Sequence, residues 1–393
     1  MKRFISASLV IITFLVGIFT IHHFFPSMLN GFSSPLGFFD RSVDSVYLEN
    51  TLIYHEDHPA FARRPLTSIF VRGIHDISGL EYGYSFIVVQ FLFLFGGALA
   101  LYYLSLHLLQ DHKKALLSLV LFFVSFSILF SFFGGVNTYD EPLQYLCIFL
   151  SLLFLYRKKF ILFSIFFFFS ILARETSVLL VPAIIYIVWK WDRLEKNKAF
   201  FSLGLSLVLS VIFFVVYMYG RGLVDSGSTY LLNERLEHWK FNFQNLMFSI
   251  ESTVSIILAI GWQISVGLIS KSKMSDKQKT LLQATLITFV INTIIVLFTA
   301  RAREVRLFTL PLVFLWPILG VFTEQIKNIF KIILKKPLFF LVSFFISFLF
   351  VWKAYIPTAT AGFHNGYRLY LFCVLLFIFF VLYLVSLKKN EFN

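Results

Sequence analysis

Seven carboxylates share one polar stretch, residues 26–83, in a chain whose other long stretches are mostly apolar: Asp40, Asp44, Glu49, Glu56, Asp57, Asp76 and Glu81. Three shorter charged groups stand at the edges of apolar runs. They are Asp140-Glu141, following Asn137-Thr138-Tyr139 and preceding Pro142, where the two read as ordinary helix-start acids that favour the dipole; Arg174-Glu175, within Ala173-Arg174-Glu175-Thr176-Ser177; and Arg301-Ala302-Arg303-Glu304-Val305-Arg306. A carboxylate suits general-base activation of a hydroxyl, and an arginine holds a phosphate with a planar fork and stabilises charge developing on it as a leaving group. Together these residue types describe group transfer from a phosphorylated donor. The chemistry requires that the groups meet on one side of whatever framework carries them.

That framework is membrane helix. The chain is 58% hydrophobic and 14% charged with 53 phenylalanines, and its mean hydropathy is +0.81, which excludes a soluble enzyme. A helix needs roughly 20 apolar residues to cross the hydrocarbon layer, and on that basis spans are predicted at 4–25, 84–109, 115–135, 142–156, 160–173, 177–190, 199–219, 251–270, 280–299, 307–325, 338–355 and 368–387. The expected fold is all-α and polytopic, about twelve transmembrane helices in a single integral membrane domain over residues 1–393. Lys2 and Arg3 precede the first span, but His22, His23 and Pro26 follow it in place of a small-residue cleavage site, so it reads as a retained helix. Cys147 and Cys373 both fall inside spans, which supports neither a disulfide framework nor a thiolate metal site.

Charge orients the spans. With the N-terminus inside, 21 of the 34 basic residues fall in inside loops, including Lys113, Lys158, Lys190, Lys271, Lys327 and Lys388, as the positive-inside rule requires. Both termini are then cytoplasmic, and the setting is a bacterial inner membrane. The net charge of +13 thus reports topology; no soluble, aromatic-rich module presents a nucleic-acid surface. Arginine separates from lysine. Only Arg3, Arg157 and Arg193 lie inside, while Arg41, Arg63, Arg64, Arg72, Arg174, Arg221, Arg235, Arg301, Arg303, Arg306 and Arg368 lie on the outer side. An outer face rich in arginine and carboxylate suits a phosphorylated substrate, although any one arginine is better explained by an ion pair that ties loops together.

Residues 160–190 decide the topology. As one span they would place Arg174 and Glu175 in mid-bilayer and move every later lysine cluster outside, so they read as a hairpin whose charged tip is recessed, facing protein or a water-filled cavity. The first extracytoplasmic loop, 26–83, is too long to lack structure, and its apolar spacing predicts juxtamembrane helices. In 220–250, Leu232, Leu236, Trp239, Phe243, Leu246 and Ile250 make a regular apolar stripe, the pattern of an interfacial amphipathic helix.

Three motifs carry a resemblance. Asp40-Arg41-Ser42-Val43-Asp44-Ser45-Val46-Tyr47 stands in a long first outer loop, Arg174-Glu175-Thr176 stands at a hairpin tip before an apolar helix, and Glu304-Val305-Arg306 leads into a helix containing Pro311. In these the chain resembles the GT-C superfamily of integral membrane glycosyltransferases, of the protein O-mannosyltransferase and lipid A aminoarabinose transferase type. The resemblance implies a sugar taken from a polyprenyl-phosphate carrier and passed, with inversion, to a lipid, glycan or protein acceptor outside the membrane. It implies a catalytic base at Asp44 or Asp40, with Tyr47 the aromatic that follows the acid. Phosphate or substrate contacts are implied at Arg174 and Glu175, and also at Arg64, Arg301, Glu304 and Arg306. The two aspartates are four apart, where the superfamily usually has an adjacent or one-apart pair. Asp44 also stands where a helix could begin, and aspartate is a preferred N-cap.

Some enzymes of this superfamily use a divalent cation; His55, His58 and His75 cluster too loosely to form a cage for one. Membrane lipids are the remaining expected partners. Two other functions share the layout. A flippase for lipid-linked glycans would carry charges deep in several spans and a two-half repeat, neither of which is visible. An O-antigen polymerase or ligase would carry its large loop late in the chain, where this one comes first.

Overall fold

The computed structural model describes residues 2–24, 27–30, 43–130, 140–222, 237–271, 274–354 and 364–390. Among them all regular structure is helical, with no strand. Six helices are long and apolar enough to cross a membrane: Lys2–His23, Tyr82–Leu109, Arg193–Gly220, Leu246–Ser270, Asp276–Thr299 and Tyr367–Leu387. Five shorter apolar helices accompany them, Glu141–Tyr156, Phe160–Ala173, Glu175–Trp189, Leu312–Phe322 and Pro337–Lys353. Helices bond their own peptide groups, so apolar sequence of this kind can enter lipid without unsatisfied backbone. The fold is that of a helical integral membrane protein. Residues 115–135 differ from the single span expected. A 12-residue helix, His112–Phe123, is capped by Asp111, and after Val124 and Ser125 only the turn Phe126–Leu129 follows.

The chain divides into two compact units, 1–110 with 131–234, and 111–130 with 235–393, where composition alone suggests one. In the first unit, Glu141–Tyr156 and Phe160–Ala173 form a tight hairpin turned at Lys158, whose φ is 60°. Tyr82–Leu109 closes on this hairpin through Gly97, where a Cβ would lie 3.3 Å from the Leu146 backbone nitrogen. Phe160–Ala173, at 14 residues, rises only about 21 Å. It stops at Arg174, whose φ of −158° and ψ of 119° are extended. The chain resumes through a 3-10 segment, Glu175–Leu180, into Val181–Trp189, with a proline in its first turn. Arg193–Gly220 turns large apolar side chains outward, with Phe201 74% and Tyr219 79% exposed, as a lipid-facing helix does.

The first-loop region 43–81 folds as helices Ser45–Asp57 and Pro65–Ser78 joined by the turn Pro59–Ala62. Pro65 presets the first turn of its helix, and Gly79, at φ 70°, closes it in the left-handed conformation that glycine adopts without cost. Leu66 packs against Leu143, Cys147 and Ala173 of the hairpin. That contact brings the residues just before it to the hairpin tip.

In the second unit, His112–Phe123 lies against Trp316–Phe322. The indole of Trp316 donates to Ser125 Oγ at 2.8 Å, the Gly320 N–H donates to Ser118 Oγ at 2.8 Å, and Phe122 meets Trp316 edge-on. The approach is so close that a Cβ on Gly320 would stand 2.0 Å from the Lys114 carbonyl oxygen. The 220–250 stripe is not one helix. Residues 237–242 are helical, the chain turns at 243–245, and Asn245 caps a new helix by accepting from Phe248 N at 2.9 Å. Trp239 stacks on Phe298 at 4.5 Å, and Leu232 and Leu236 lie outside the described residues.

Gly320→Ala therefore destabilises the protein by about 2 kcal/mol or more and lowers its unfolding midpoint in detergent. Gly204→Ala, whose Cβ meets nothing within 4 Å, leaves the midpoint unchanged or slightly raised. Equal midpoints for Gly320→Ala and the unaltered protein would contradict this packing.

Candidate functional site

The hairpin tip and the first loop meet in a knot of ionised side chains within the first unit. Arg64 grips Glu175 with both prongs of its fork, Nε to Oε2 at 2.6 Å and Nη2 to Oε1 at 2.6 Å, the bidentate geometry that makes arginine–carboxylate pairs strong and directional. Arg63 Nη2 reaches the same carboxylate at 2.8 Å. Arg174 pairs with Glu141, both side chains being buried, which carries the knot to the start of Glu141–Tyr156. Beneath it, Gln144 Nε2 donates to Ser177 Oγ at 2.9 Å and to Thr176 Oγ1 at 3.2 Å. Ser177 Oγ donates in turn to the Ser170 carbonyl at 2.8 Å, which ties the extended break at Arg174 back to the helix before it.

Asp140 stands in the middle of these groups. It is fully buried, its Oδ2 lies 3.6 Å from Arg64 Nη1, and neither oxygen has a hydrogen-bond partner among the described residues. Burial pushes its carboxyl up to about 7, with Arg64 and Arg174 opposing the shift and Glu175 and Glu141 adding to it. A carboxylate in water would sit near 3.8; here desolvation outweighs two neighbouring cations.

A cavity of about 280 Å³ adjoins the knot, lined by His55, Glu56, Arg64, Pro65, Ser68, Arg72, Tyr217 and Arg221 among others. Three arginines face one carboxylate there, and Glu56 is already held by Arg72, whose Nε reaches Oε1 at 2.6 Å while Nη2 takes Oε2. Arg221, at the end of Arg193–Gly220, forms no ion pair among the described residues. The cavity thus keeps an uncompensated guanidinium beside two held ones, an arrangement that suits an anionic ligand of small cross-section.

The residues singled out from the sequence fall into separate groups. Arg64, Arg174 and Glu175 meet in the knot. Asp44 caps Ser45–Asp57, accepting from Tyr47 N at 2.8 Å, and is half-buried. The Gly83 N–H donates to Ser45 Oγ at 3.0 Å, locking the start of that helix to the start of Tyr82–Leu109. Burial pushes the Tyr47 phenol above its ordinary range, a hydrogen bond with Thr51 lowers it, and Asp44 adds to the rise. Asp40 lies outside the described residues, as do Asn137, Thr138 and Tyr139.

Arg301, Glu304 and Arg306 belong to the second unit. There Arg306 pairs with Glu304 at 2.7 Å, Arg301 lies 5.5 Å from the Phe241 ring centroid, and Asn242 holds the segment by accepting from Ala302 N at 2.9 Å. Sequence reasoning passed over Arg303, which pairs with buried Glu251 at 3.4 Å and stacks 4.1 Å from the Phe248 centroid. It also treated Asp140 and Glu141 as ordinary helix-start acids, and gave no role to Arg63, Arg72 or Arg221. A signal for the last three existed in the excess of outer arginines. Among the described residues no three His, Cys, Asp or Glu side chains gather as metal ligands. Searches of protein-family models and of curated proteins with this sequence find no match.

The buried acid generates a pH dependence. Because the folded-state pKa of Asp140 is raised, its unfolded form ionises first as pH rises from about 4, and the stability it contributes when protonated is lost by about pH 7. Asp140→Asn has no such loss, so the difference in unfolding midpoint between variant and parent moves in the variant's favour between pH 4.5 and 7.5. A difference that stays constant over that range would contradict the buried acid.

Proposed function

We propose that this chain is a membrane glycosyltransferase that takes a sugar from a polyprenyl-phosphate carrier and passes it to a lipid, glycan or protein acceptor on the extracytoplasmic side. The single observation that carries the reading is the arginine-lined cavity of the first outer loop, set beside the charged hairpin tip. The six long and five shorter apolar helices support a polytopic chain; the reading further takes about twelve crossings with both termini in the cytoplasm of a bacterium, so that this cavity faces the outer side of the inner membrane.

In the reaction, the acceptor oxygen bonds to the anomeric carbon as the bond from that carbon to the phosphate oxygen breaks. The acceptor proton passes to a carboxylate, and the electron pair leaves with the lipid phosphate. Arg221 and Arg72 meet the phosphate, and its growing charge is greatest in the transition state, where fixed guanidinium groups stabilise it most. Arg64 orients the cavity wall through Glu175. Fully buried Asp140 cannot touch a substrate and serves to hold Arg64 and Arg174. Asp44, half-buried on the first loop, is the base that the resemblance implies, with one of its carboxylate oxygens capping the helix.

The test is label transfer in liposomes from a radiolabelled polyprenyl-phosphate monosaccharide to a membrane extract. Asparagine caps helices as well as aspartate, so Asp44→Asn keeps the fold and abolishes transfer, whereas Asp40→Asn retains it. Arg221→Gln lowers kcat/KM for the donor about tenfold to a hundredfold, the size of one lost charge-assisted bond. Transfer that survives Asp44→Asn returns that residue to its cap role alone, and sugar crossing between leaflets without transfer would replace the enzyme with a flippase.

A further inference from the structure

The last hairpin of the second unit carries a second cationic feature of a different kind. A groove of about 460 Å³ runs between Pro337–Leu349, the π-helical turn Phe350–Ala354 and His364–Asn390, and is lined by Phe344, Phe348, Trp352 and Phe372 with Arg368 among them. Arg368 lies at the edge of the candidate span Tyr367–Leu387. Its Nε is buried without a hydrogen-bond partner and it forms no ion pair among the described residues. Lys353 follows the groove-lining Trp352 in the same π-helical turn, holds its ammonium 5.4 Å from the Trp352 ring centroid, and forms no ion pair among the described residues. Sequence supplies no carboxylate locally, for no Asp or Glu occurs from Pro337 to Asn390. A partly buried arginine at a span edge, with no ion pair among the described residues, favours an anion, and π-helical turns recur at functional sites.

We propose that this groove seats a membrane lipid whose head is a phosphate monoester. The aromatic walls take the tail, and Arg368 with Lys353 takes the head. Charge selects the class: a phosphate monoester carries about −1.5 to −2 at neutral pH and matches two cations, whereas the phosphodiester of an ordinary anionic phospholipid carries a single charge and leaves one cation unmet. Trp352, Leu369 and Phe344 are 58%, 65% and 41% exposed, so the groove opens sideways to lipid and a tail enters without crossing water. The groove's chemistry stands whether or not the transfer above takes place, although the carrier released by that transfer is a lipid of this class.

The test uses the full chain in phosphatidylcholine nanodiscs, with tryptophan fluorescence quenched by spin-labelled phosphatidic acid, a monoester, or by phosphatidylglycerol carrying the same label, a diester. Phosphatidic acid should reach half-saturation at a mole fraction at least tenfold lower than phosphatidylglycerol. Trp352→Phe should remove the saturable part of the quenching, and Arg368→Gln should bring phosphatidic acid to the phosphatidylglycerol curve. Exposed Lys353→Gln, which leaves the packed groove intact, should shift the curve in the same direction and so covers the case in which Arg368→Gln fails to fold. Equal quenching by the two lipids, or an unshifted curve in the variants that fold, would overturn the proposal. Neither outcome bears on sugar transfer, which is read in the other unit by a different assay.

Discussion

One carboxylate holds the charged end of the first unit together. Glu175 stands at the break between Phe160–Ala173 and Val181–Trp189, and it receives Arg64 bidentately and Arg63 as well. Removing ions from water costs several kcal/mol each, which mutual attraction offsets only when the geometry is good and the remaining hydrogen-bonding sites are used. The forked grip satisfies both conditions. It also fixes the course of the first loop, because Arg63 and Arg64 lie between the turn Pro59–Ala62 and the helix Pro65–Ser78. The walls of the arginine cavity therefore depend on a pair whose two members lie 111 positions apart in sequence.

Such a pair explains why the site was only partly legible. The charged tip at Arg174-Glu175 could be read from the sequence because a 14-residue arm cannot lift a charge clear of the bilayer, and Arg174 is indeed buried against Glu141. Helices in the first loop were legible from apolar spacing, and the cap at Asp44 from residue type. The partner of Glu175 was not, since nothing local in Arg63-Arg64 distinguishes a pairing arginine from a solvated one. Asp140 and Glu141 were read as acids favouring a helix start, a rule of local electrostatics that tertiary burial overrode. Residues 237–250 failed for a related reason. The apolar stripe is present, but Asn242 accepts from Ala302 N and donates to the Leu297 and Ala300 carbonyls, and Asn245 caps the next helix. These polar contacts break the helix that periodicity alone would continue.

The two kinds of cation in this chain do different work. Lysines at helix ends bear on aromatic rings, as Lys158 does over Trp191 at 3.1 Å. Among the described residues, arginines are spent mostly on carboxylates: Arg63 and Arg64 on Glu175, Arg72 on Glu56, Arg174 on Glu141, Arg303 on Glu251 and Arg306 on Glu304. Against that background two arginines with no ion pair among the described residues line cavities: Arg221 in the first unit and Arg368 in the groove of the second. An arginine that the fold leaves without a carboxylate is where an anionic ligand gains most, because its binding removes a cost the protein otherwise bears.

The most direct test of the account is where the carrier's phosphate end rests. A polyprenyl-phosphate analogue with a photoactivatable group beside the phosphate, crosslinked to the purified protein in nanodiscs and mapped by mass spectrometry, should mark peptides containing His55–Arg72 and Tyr217–Arg221. Excess unlabelled carrier should suppress this labelling, and Glu175→Gln, which releases Arg64, should weaken it. Labelling that avoids both segments, or that is indifferent to Glu175→Gln, would contradict the claim that the Glu175-held arginine cavity is the phosphate site.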